Sequence, residues 1–240
     1  MGTRNKIFFV GAVLAAVAIS GGGQSNPPAT NFSATLRGAS QSSTSAQFDP
    51  ALLTPSALNA KAPDTFDVKF VTSKGEFIVR VTRAWAPHGA DRFYNLVQHH
   101  YYDGCAFFRV IRGFMAQFGL TPFPEVNKAW MNADIPDDVV RQSNTRGKVT
   151  FAAGGDPNTR STQLFINFVN NSRLDPMRFA PIGEVVSGMN VVDKINDEYV
   201  ERPDQGKITF EGGPYLRKEF PNLDYIKTAR IVAAPAPAPK

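Results

Sequence analysis

The sequence predicts a mainly β protein: a closed barrel of eight short antiparallel strands, with two α-helices covering its mouths. Composition is the first indication, because 240 residues that include 19 Phe, 2 Trp, 19 Gly and 18 Pro suggest many short strands joined by turns. The second is that apolar residues alternate with polar ones in short runs. The third is that only two stretches, one near each end of the domain, show helical spacing.

The first 20 residues are typical of a secretory signal peptide. Arg4 and Lys6 precede an apolar stretch over 7–19, which ends in Ser20 and glycines. An uncut membrane anchor through 7–19 is the alternative, but a spanning helix needs about 20 apolar residues and this stretch is shorter. We therefore expect a secreted or periplasmic protein, or one in the secretory pathway of a eukaryotic host.

Residues 21–63 are expected to form a disordered linker. They are rich in Ser, Thr, Asn, Ala and Pro, with few aromatic or charged residues, so they bury too little surface to offset the entropy of ordering. Residues 233–240 contain Ala and Pro before a final Lys and predict an extended tail. The folded domain is therefore expected to span 64–232.

The domain is predicted to open with a β-hairpin. Phe66, Val68 and Phe70 alternate with polar residues, and the alternation resumes after the turn at 73–75. Helical spacing predicts one helix after Pro87 and a short second one over 189–198. The remaining strands are predicted at 107–111, 114–118, 148–153, 164–168, 181–185 and 228–232.

Charge and motif spacing argue against several classes of function. The net charge of +5 comes from dispersed Lys and Arg without a basic run, so we expect no nucleic-acid partner. The three histidines and Cys105 lack metal-ligand spacing, and the GxSxG motif of hydrolases does not occur. We expect neither a metal nor a cofactor, and Cys105 is expected to be a buried, inert thiol.

Two segments carry the remaining signal, FFRVIRGFMAQFG over 107–119 and TFAAGGDPNTRSTQLFINF over 150–168. Both resemble the core of the cyclophilins, in which a strand with an essential arginine runs into Gly-Phe-Met and a glutamine. The likeness continues through RLDPMRFAPIGEVVSGMNVVDKI over 173–195. The resemblance implies the cyclophilin barrel and a peptidyl-prolyl cis-trans isomerase, an enzyme that rotates X-Pro peptide bonds.

Rotation about an X-Pro bond changes no covalent bond, so few residues are needed. Amide resonance sets a barrier of about 18–20 kcal/mol, and the uncatalysed step takes about 10–100 s. A catalyst must hold the proline and donate a hydrogen bond to the prolyl nitrogen as it becomes basic. An arginine suits this task because it stays protonated. The resemblance makes Arg109 the catalytic donor and Gln117 the residue that orients it.

The resemblance also assigns the residues that bind substrate. They are Phe114, Met115, Phe165 and Leu174 in the wall of the proline pocket, Ala153, Gly154 and Gly155 beside the substrate backbone, and Gln163, Arg173 and Phe179 around them. The backbone amide and carbonyl of Gly154 are expected to pair with the substrate. Without the resemblance, the wall residues would be interpreted as ordinary core and Arg109 as a charge that protects a strand edge.

The rim of the pocket departs from the best-known cyclophilins. Arg173 stands where they carry a tryptophan that donates a hydrogen bond to cyclosporin, so we expect weak cyclosporin binding. Phe179 replaces the usual pocket histidine, and Gly154 and Gly155 replace Asn and Ala. The segment 121–146 is the least alignable part, so substrate choice is the least determined property.

The resulting hypothesis is a monomeric isomerase that acts on proline-containing peptide segments and assists the folding of exported proteins. The alternative is a noncatalytic proline-peptide-binding module or chaperone that uses the same groove. Arg109 and Gln117 favour catalysis, because a module that only binds does not need a donor aimed at the prolyl nitrogen.

Overall fold

Eight antiparallel strands in one curled sheet form the body of the protein in the computed structural model, which describes residues 48–233. Each strand overlaps a predicted one, so the mainly β, eight-stranded prediction is confirmed. The strands are β1 (Thr65–Thr72), β2 (Gly75–Thr82), β3 (Arg109–Ile111), β4 (Met115–Phe118), β5 (Lys148–Phe151), β6 (Leu164–Asn167), β7 (Pro181–Ser187) and β8 (Ile226–Val232).

The sheet is not closed, so the prediction of a closed barrel is wrong. The strand order is β3-β4-β6-β5-β7-β2-β1-β8, which leaves β3 and β8 at opposite edges. The two edges meet just before β3 begins, where Ala106 forms an isolated bridge with Tyr225 and where Ile226, the first residue of β8, bonds to Gly104 and Cys105. β3 has three residues, and the amide of Val110 at its centre donates to the carbonyl of Val200, 2.8 Å away. The carbonyl of Val200, which lies in a turn, thus accepts the hydrogen bond that a β3–β8 pair would require.

The opening hairpin follows the predicted alternation and supplies much of the core. Phe70 faces Phe77 across the β1–β2 pair, and their rings stack with centroids 4.8 Å apart. Every second side chain of the two strands is at most 5% exposed: Phe66, Val68, Phe70, Phe77, Val79 and Val81. Each of these pairs directly opposite another in the register, so this face of the hairpin is apolar from Phe66 to Phe70 and from Phe77 to Val81.

The described residues contain five α-helices instead of the two expected. They are α1 (Pro87–Gln98), α2 (Pro124–Trp130), α3 (Met189–Val192), α4 (Gln205–Glu211) and α5 (Gly213–Glu219). The first predicted helix is α1. Helices α2, α4 and α5 were not predicted because each has seven residues, fewer than the 11–18 over which helical periodicity becomes visible.

The second predicted helix is shorter than expected, since α3 ends at Val192 and not near 198. After Val192 the chain forms a tighter turn, in which the Ile195 amide donates to the Val192 carbonyl three residues before it. The guanidinium of Arg112 then donates to the carbonyls of Asp193 and Ile195. A side chain from the β3–β4 turn therefore satisfies carbonyl groups that a longer helix would have paired internally.

Part of the predicted linker belongs to the folded unit, because residues 48–63 pack against the domain. Leu52 is 2% exposed, and its carbonyl accepts a hydrogen bond of 2.8 Å from Nε1 of Trp130. The side-chain amide of Asn95 on α1 bonds both to the amide and to the carbonyl of Ala60. The amino-acid composition predicted disorder here, but a few apolar side chains and backbone hydrogen bonds are enough to order residues 48–63.

The predicted signal peptide, the linker up to residue 47 and the tail from residue 234 lie outside the described residues. Within the described range of 48–233, no helix has both the length and the apolar character needed to cross a membrane.

A partly buried polar network ties the 3₁₀ helix Ser172–Met177 to the segment before β5. The Asp175 carboxylate accepts hydrogen bonds from the hydroxyl of Ser143 at 2.6 Å and from the backbone amide of Asn144 at 2.9 Å. The side-chain amide of Asn144 donates to Asp175 and to the carbonyl of Phe179. This network fixes the 3₁₀ helix at Asp175 and the chain just after it at Phe179.

The packing of residues 48–63 predicts that Leu52→Ala lowers the free energy of unfolding by about 2 kcal/mol or more, the cost of emptying a buried leucine site. Leu53 is the matched control, since it is 46% exposed and its replacement by Ala is expected to change stability by less than about 0.5 kcal/mol. Urea denaturation measures both. Equal midpoints for the two variants would contradict the assignment of this segment to the folded unit.

The Asp175 network predicts a specific pH dependence of stability. Burial raises the pKa of Asp175, but the hydrogen bonds from Ser143 and Asn144 outweigh it and hold the pKa below the ordinary value of 3.8. The carboxylate therefore contributes full stability above that value and loses it as the pH falls through the folded-state pKa. Asp175→Asn is expected to be less stable at neutral pH and to lose less stability on acidification than the wild type.

Urea midpoints between about pH 7 and pH 2 test this expectation. Asp64→Asn is the control, because Asp64 is exposed and lies outside the network. A wild type and an Asp175→Asn variant with parallel pH profiles would contradict the role given to Asp175.

Candidate active site

Arg109 on β3 and Gln117 on β4 are directly opposite each other in the register, so their side chains leave the sheet on the same face. Nη1 of Arg109 donates to Oε1 of Gln117 over 3.2 Å. Gln117 in turn donates from Nε2 to Oε1 of Gln163 over 2.8 Å. Both glutamines are less than 10% exposed, so a buried amide chain fixes one side of the guanidinium.

Two further groups surround the Arg109 guanidinium. Its Nε donates to Oε2 of Glu201 over 3.0 Å. Its Cζ lies 5.9 Å from the ring centroid of Phe114, and Cζ of Arg173 lies 4.7 Å from the same centroid. The hydrogen bonds that Arg109 makes within residues 48–233 use Nε and Nη1, and Nη2 has no hydrogen-bond partner among them.

An apolar cluster beside Arg109 forms the predicted wall of the pocket. Its buried members are Met115, Phe165 and Leu174, and the partly buried side chains packed on them are Ile111, Phe114, Ala152 and Phe179. The rings of Phe165 and Phe179 meet edge to face with centroids 5.8 Å apart. The cluster is separate from the main core, and its outer side chains are open to solvent, as a binding surface requires.

The loop after β5 contains Ala153, Gly154 and Gly155. The amide of Gly154 donates to Oγ1 of Thr159 over 2.9 Å, so it is engaged inside the loop. A Cβ atom placed on Gly155 would meet no heavy atom within 4 Å, which shows that the space around it is open. Pairing of the Gly154 amide with a substrate backbone stays a prediction, and it would have to replace the bond to Thr159.

The side chain of Phe179 packs against Arg160, which is paired with a residue of the divergent segment 121–146. The sequence motifs did not predict this contact. Arg160 is 5% exposed, and its Cζ lies 5.4 Å from the ring centroid of Phe179. Burial lowers the pKa of Arg160, and its ion pair with the carboxylate of Asp137 opposes that effect. Asp137 also accepts from the amide of Asn158 over 3.0 Å. One carboxylate thus ties the segment to the loop after β5.

Glu201 is the second site residue that sequence reasoning missed. It lies 92 positions after Arg109 in a region without a recognisable motif or periodicity, so no local signal could have paired the two.

The remaining candidates for reactive chemistry lie elsewhere. Cys105 is fully buried in the main core, and burial raises the pKa of its thiol well above the ordinary value. Among residues 48–233, no three or more His, Cys, Asp or Glu side chains are grouped to hold a metal ion. The arrangement around Arg109 therefore offers one positioned guanidinium donor beside an apolar cluster.

Comparison with known proteins agrees with this geometry. The chain is 34% identical over 131 residues to a probable peptidyl-prolyl cis-trans isomerase of Brucella abortus, which covers 50% of this chain and 66%, just under two thirds, of that protein. It is also 34% identical over 133 residues to a peptidyl-prolyl cis-trans isomerase of Acinetobacter baylyi, covering 53% of this chain and 70% of that one.

A similar fold occurs in the crystal structure of a cyclophilin type peptidyl-prolyl cis-trans isomerase of Cryptosporidium parvum. The TM-score is 0.55 at 19% identity, over 71% of this chain and 99% of that one. The family model for cyclophilin type peptidyl-prolyl cis-trans isomerases matches residues 67–211, more than half of the sequence. The chain therefore belongs to the cyclophilin-type peptidyl-prolyl cis-trans isomerase family.

Proposed function

We propose that this chain catalyses rotation about X-Pro peptide bonds and thereby assists the folding of exported proteins. The observation that carries the proposal is the Arg109 guanidinium, held by Gln117 beside the cluster of Met115, Phe165 and Leu174. A planar donor next to an apolar pocket matches what the reaction requires, a grip on the proline and a hydrogen bond to its nitrogen.

In the proposed mechanism, the proline ring packs against Met115, Phe165 and Leu174, and the carbonyl before it is free to turn. As rotation breaks amide resonance, the prolyl nitrogen gains a lone pair and accepts a hydrogen bond from Arg109. That bond is stronger in the transition state than in the ground state, so it lowers the barrier. No proton is transferred and no covalent intermediate forms.

The proposed ligands are proline-containing peptide segments. The Cryptosporidium parvum relative was crystallised in the presence of the dipeptide Ala-Pro, which supports this ligand class. We propose a monomer, because a single chain supplies every residue of the site described above. The pattern of the first 20 residues supports action outside the cytosol, either in the periplasm or after secretion.

Arg109→Ala is expected to lower kcat/KM for an X-Pro peptide about 100-fold or more, the usual effect of removing one positioned transition-state donor. A protease-coupled isomerase assay measures the change. The control is Arg112→Ala, since Arg112 donates to the end of α3 and not to the pocket, and most of the activity should remain.

Two results of this assay would count against the proposal. An inactive wild type that still binds proline peptides would identify a noncatalytic binding module. An Arg109→Ala variant as active as the wild type would show that another group supplies the donor.

Cyclosporin is expected to bind weakly, because the guanidinium of Arg173 lies over Phe114 where an indole donor would be needed. Arg173→Trp is expected to tighten binding at least about tenfold, which corresponds to about 1.4 kcal/mol and is within the range of one hydrogen bond plus packing. Calorimetric titration compares the two proteins. Low-nanomolar binding by the wild type would contradict the expectation.

A further inference from the structure

The Arg109 guanidinium is held at two different nitrogens by residues from distant parts of the chain. Gln117 binds Nη1, and Glu201 binds Nε. We propose that Glu201 is a positioning residue for Arg109, which fixes the plane of the guanidinium so that its free N–H groups face the substrate. The proposal rests on the proposed function and adds to it a residue that the cyclophilin resemblance does not supply.

The backbone beside Glu201 is anchored independently of the ion pair. Tyr199 is 8% exposed in a second apolar cluster, where its ring lies 5.1 Å from that of Phe220. The carbonyl of Val200 accepts from the amide of Val110, the residue next to Arg109. The turn is therefore attached to the second apolar cluster on one side and to β3 on the other, which limits how far Glu201 can move from Arg109.

The conformation of Val200 provides a second observation. Its φ is 55°, in the left-handed region that β-branched residues rarely adopt. Such a residue keeps this conformation only where its surroundings enforce it, and residues of this kind cluster at functional sites. Here the strained residue lies between the buried Tyr199 and Glu201, in the turn that bonds to the strand of the catalytic arginine.

Two hydrogen bonds at separate nitrogens restrict the orientation of the Arg109 guanidinium more than one does. A guanidinium held only through Nη1 can pivot about that bond, whereas a second bond at Nε fixes its plane. The bond to the prolyl nitrogen is needed only in the transition state, so loss of orientation should reduce kcat more than peptide affinity. The opposite role, in which Glu201 competes with substrate for Arg109, predicts that removing Glu201 increases activity.

The test compares Glu201→Ala and Glu201→Gln with the control Glu198→Ala. Glu198 lies in the same turn but contacts Asn196 and Asn222, not Arg109.

NMR exchange spectroscopy on an uncharged X-Pro peptide, at several peptide concentrations, separates kcat from KM. Glu201→Ala should lower kcat about three- to fivefold, the size expected for a half-exposed ion pair, and change KM less than about twofold. Glu201→Gln, which can still accept from Nε, should retain most of the wild-type kcat, and Glu198→Ala all of it.

A second readout follows the contact itself. The Nε–H of Arg109 should give a slowly exchanging ¹⁵N-correlated NMR signal in the wild type and in Glu198→Ala, and a fast-exchanging one in Glu201→Ala. Equal urea midpoints for the variants would exclude a general loss of structure as the cause of a lower kcat.

The outcomes separate this inference from the proposed function. An unchanged or higher kcat in Glu201→Ala, with an active wild type, overturns the positioning role alone. An inactive wild type overturns the proposed function and the positioning role with it.

Discussion

A guanidinium that must stay charged and oriented beside an apolar pocket is the constraint on which the rest of the site depends. Arg109 meets it on β3, a three-residue edge strand, where one flank is a buried amide chain and the other can reach water. The open edge of the sheet is therefore part of the site, because it leaves room for the turn at Val200 and for Glu201.

Local sequence patterns were sufficient to predict strands with alternating apolar residues and helices that span several turns. The opening hairpin and α1 were predictable for this reason, and Gln117 and the pocket wall through the cyclophilin resemblance. Short helices such as α4 are too short to show a helical period, and no local pattern indicates that the Val110 amide bonds to Val200 and not to β8. Contacts between distant segments, such as Glu201 with Arg109 or Leu52 with Trp130, leave no mark in either segment alone.

At the rim of the pocket, an ion pair supports the apolar side chain that replaces the usual histidine. Phe179 has no polar group of its own, and it is supported by the buried guanidinium of Arg160, whose charge Asp137 balances. On the far side of the same segment, the carboxylate of Asp138 accepts from the amides of His88 and Gly89 at the start of α1. The segment that was least alignable thus joins α1, the loop after β5 and the pocket wall.

The pocket cluster shares none of its buried residues with the main core. A change in the shape of Met115, Phe165 or Leu174 therefore does not directly alter the packing around the Phe70 and Phe77 stack in the main core. Domains built in this way can acquire new sequence preferences while keeping the same scaffold and the same arginine. Divergence among relatives should accordingly concentrate in the side chains that line the groove.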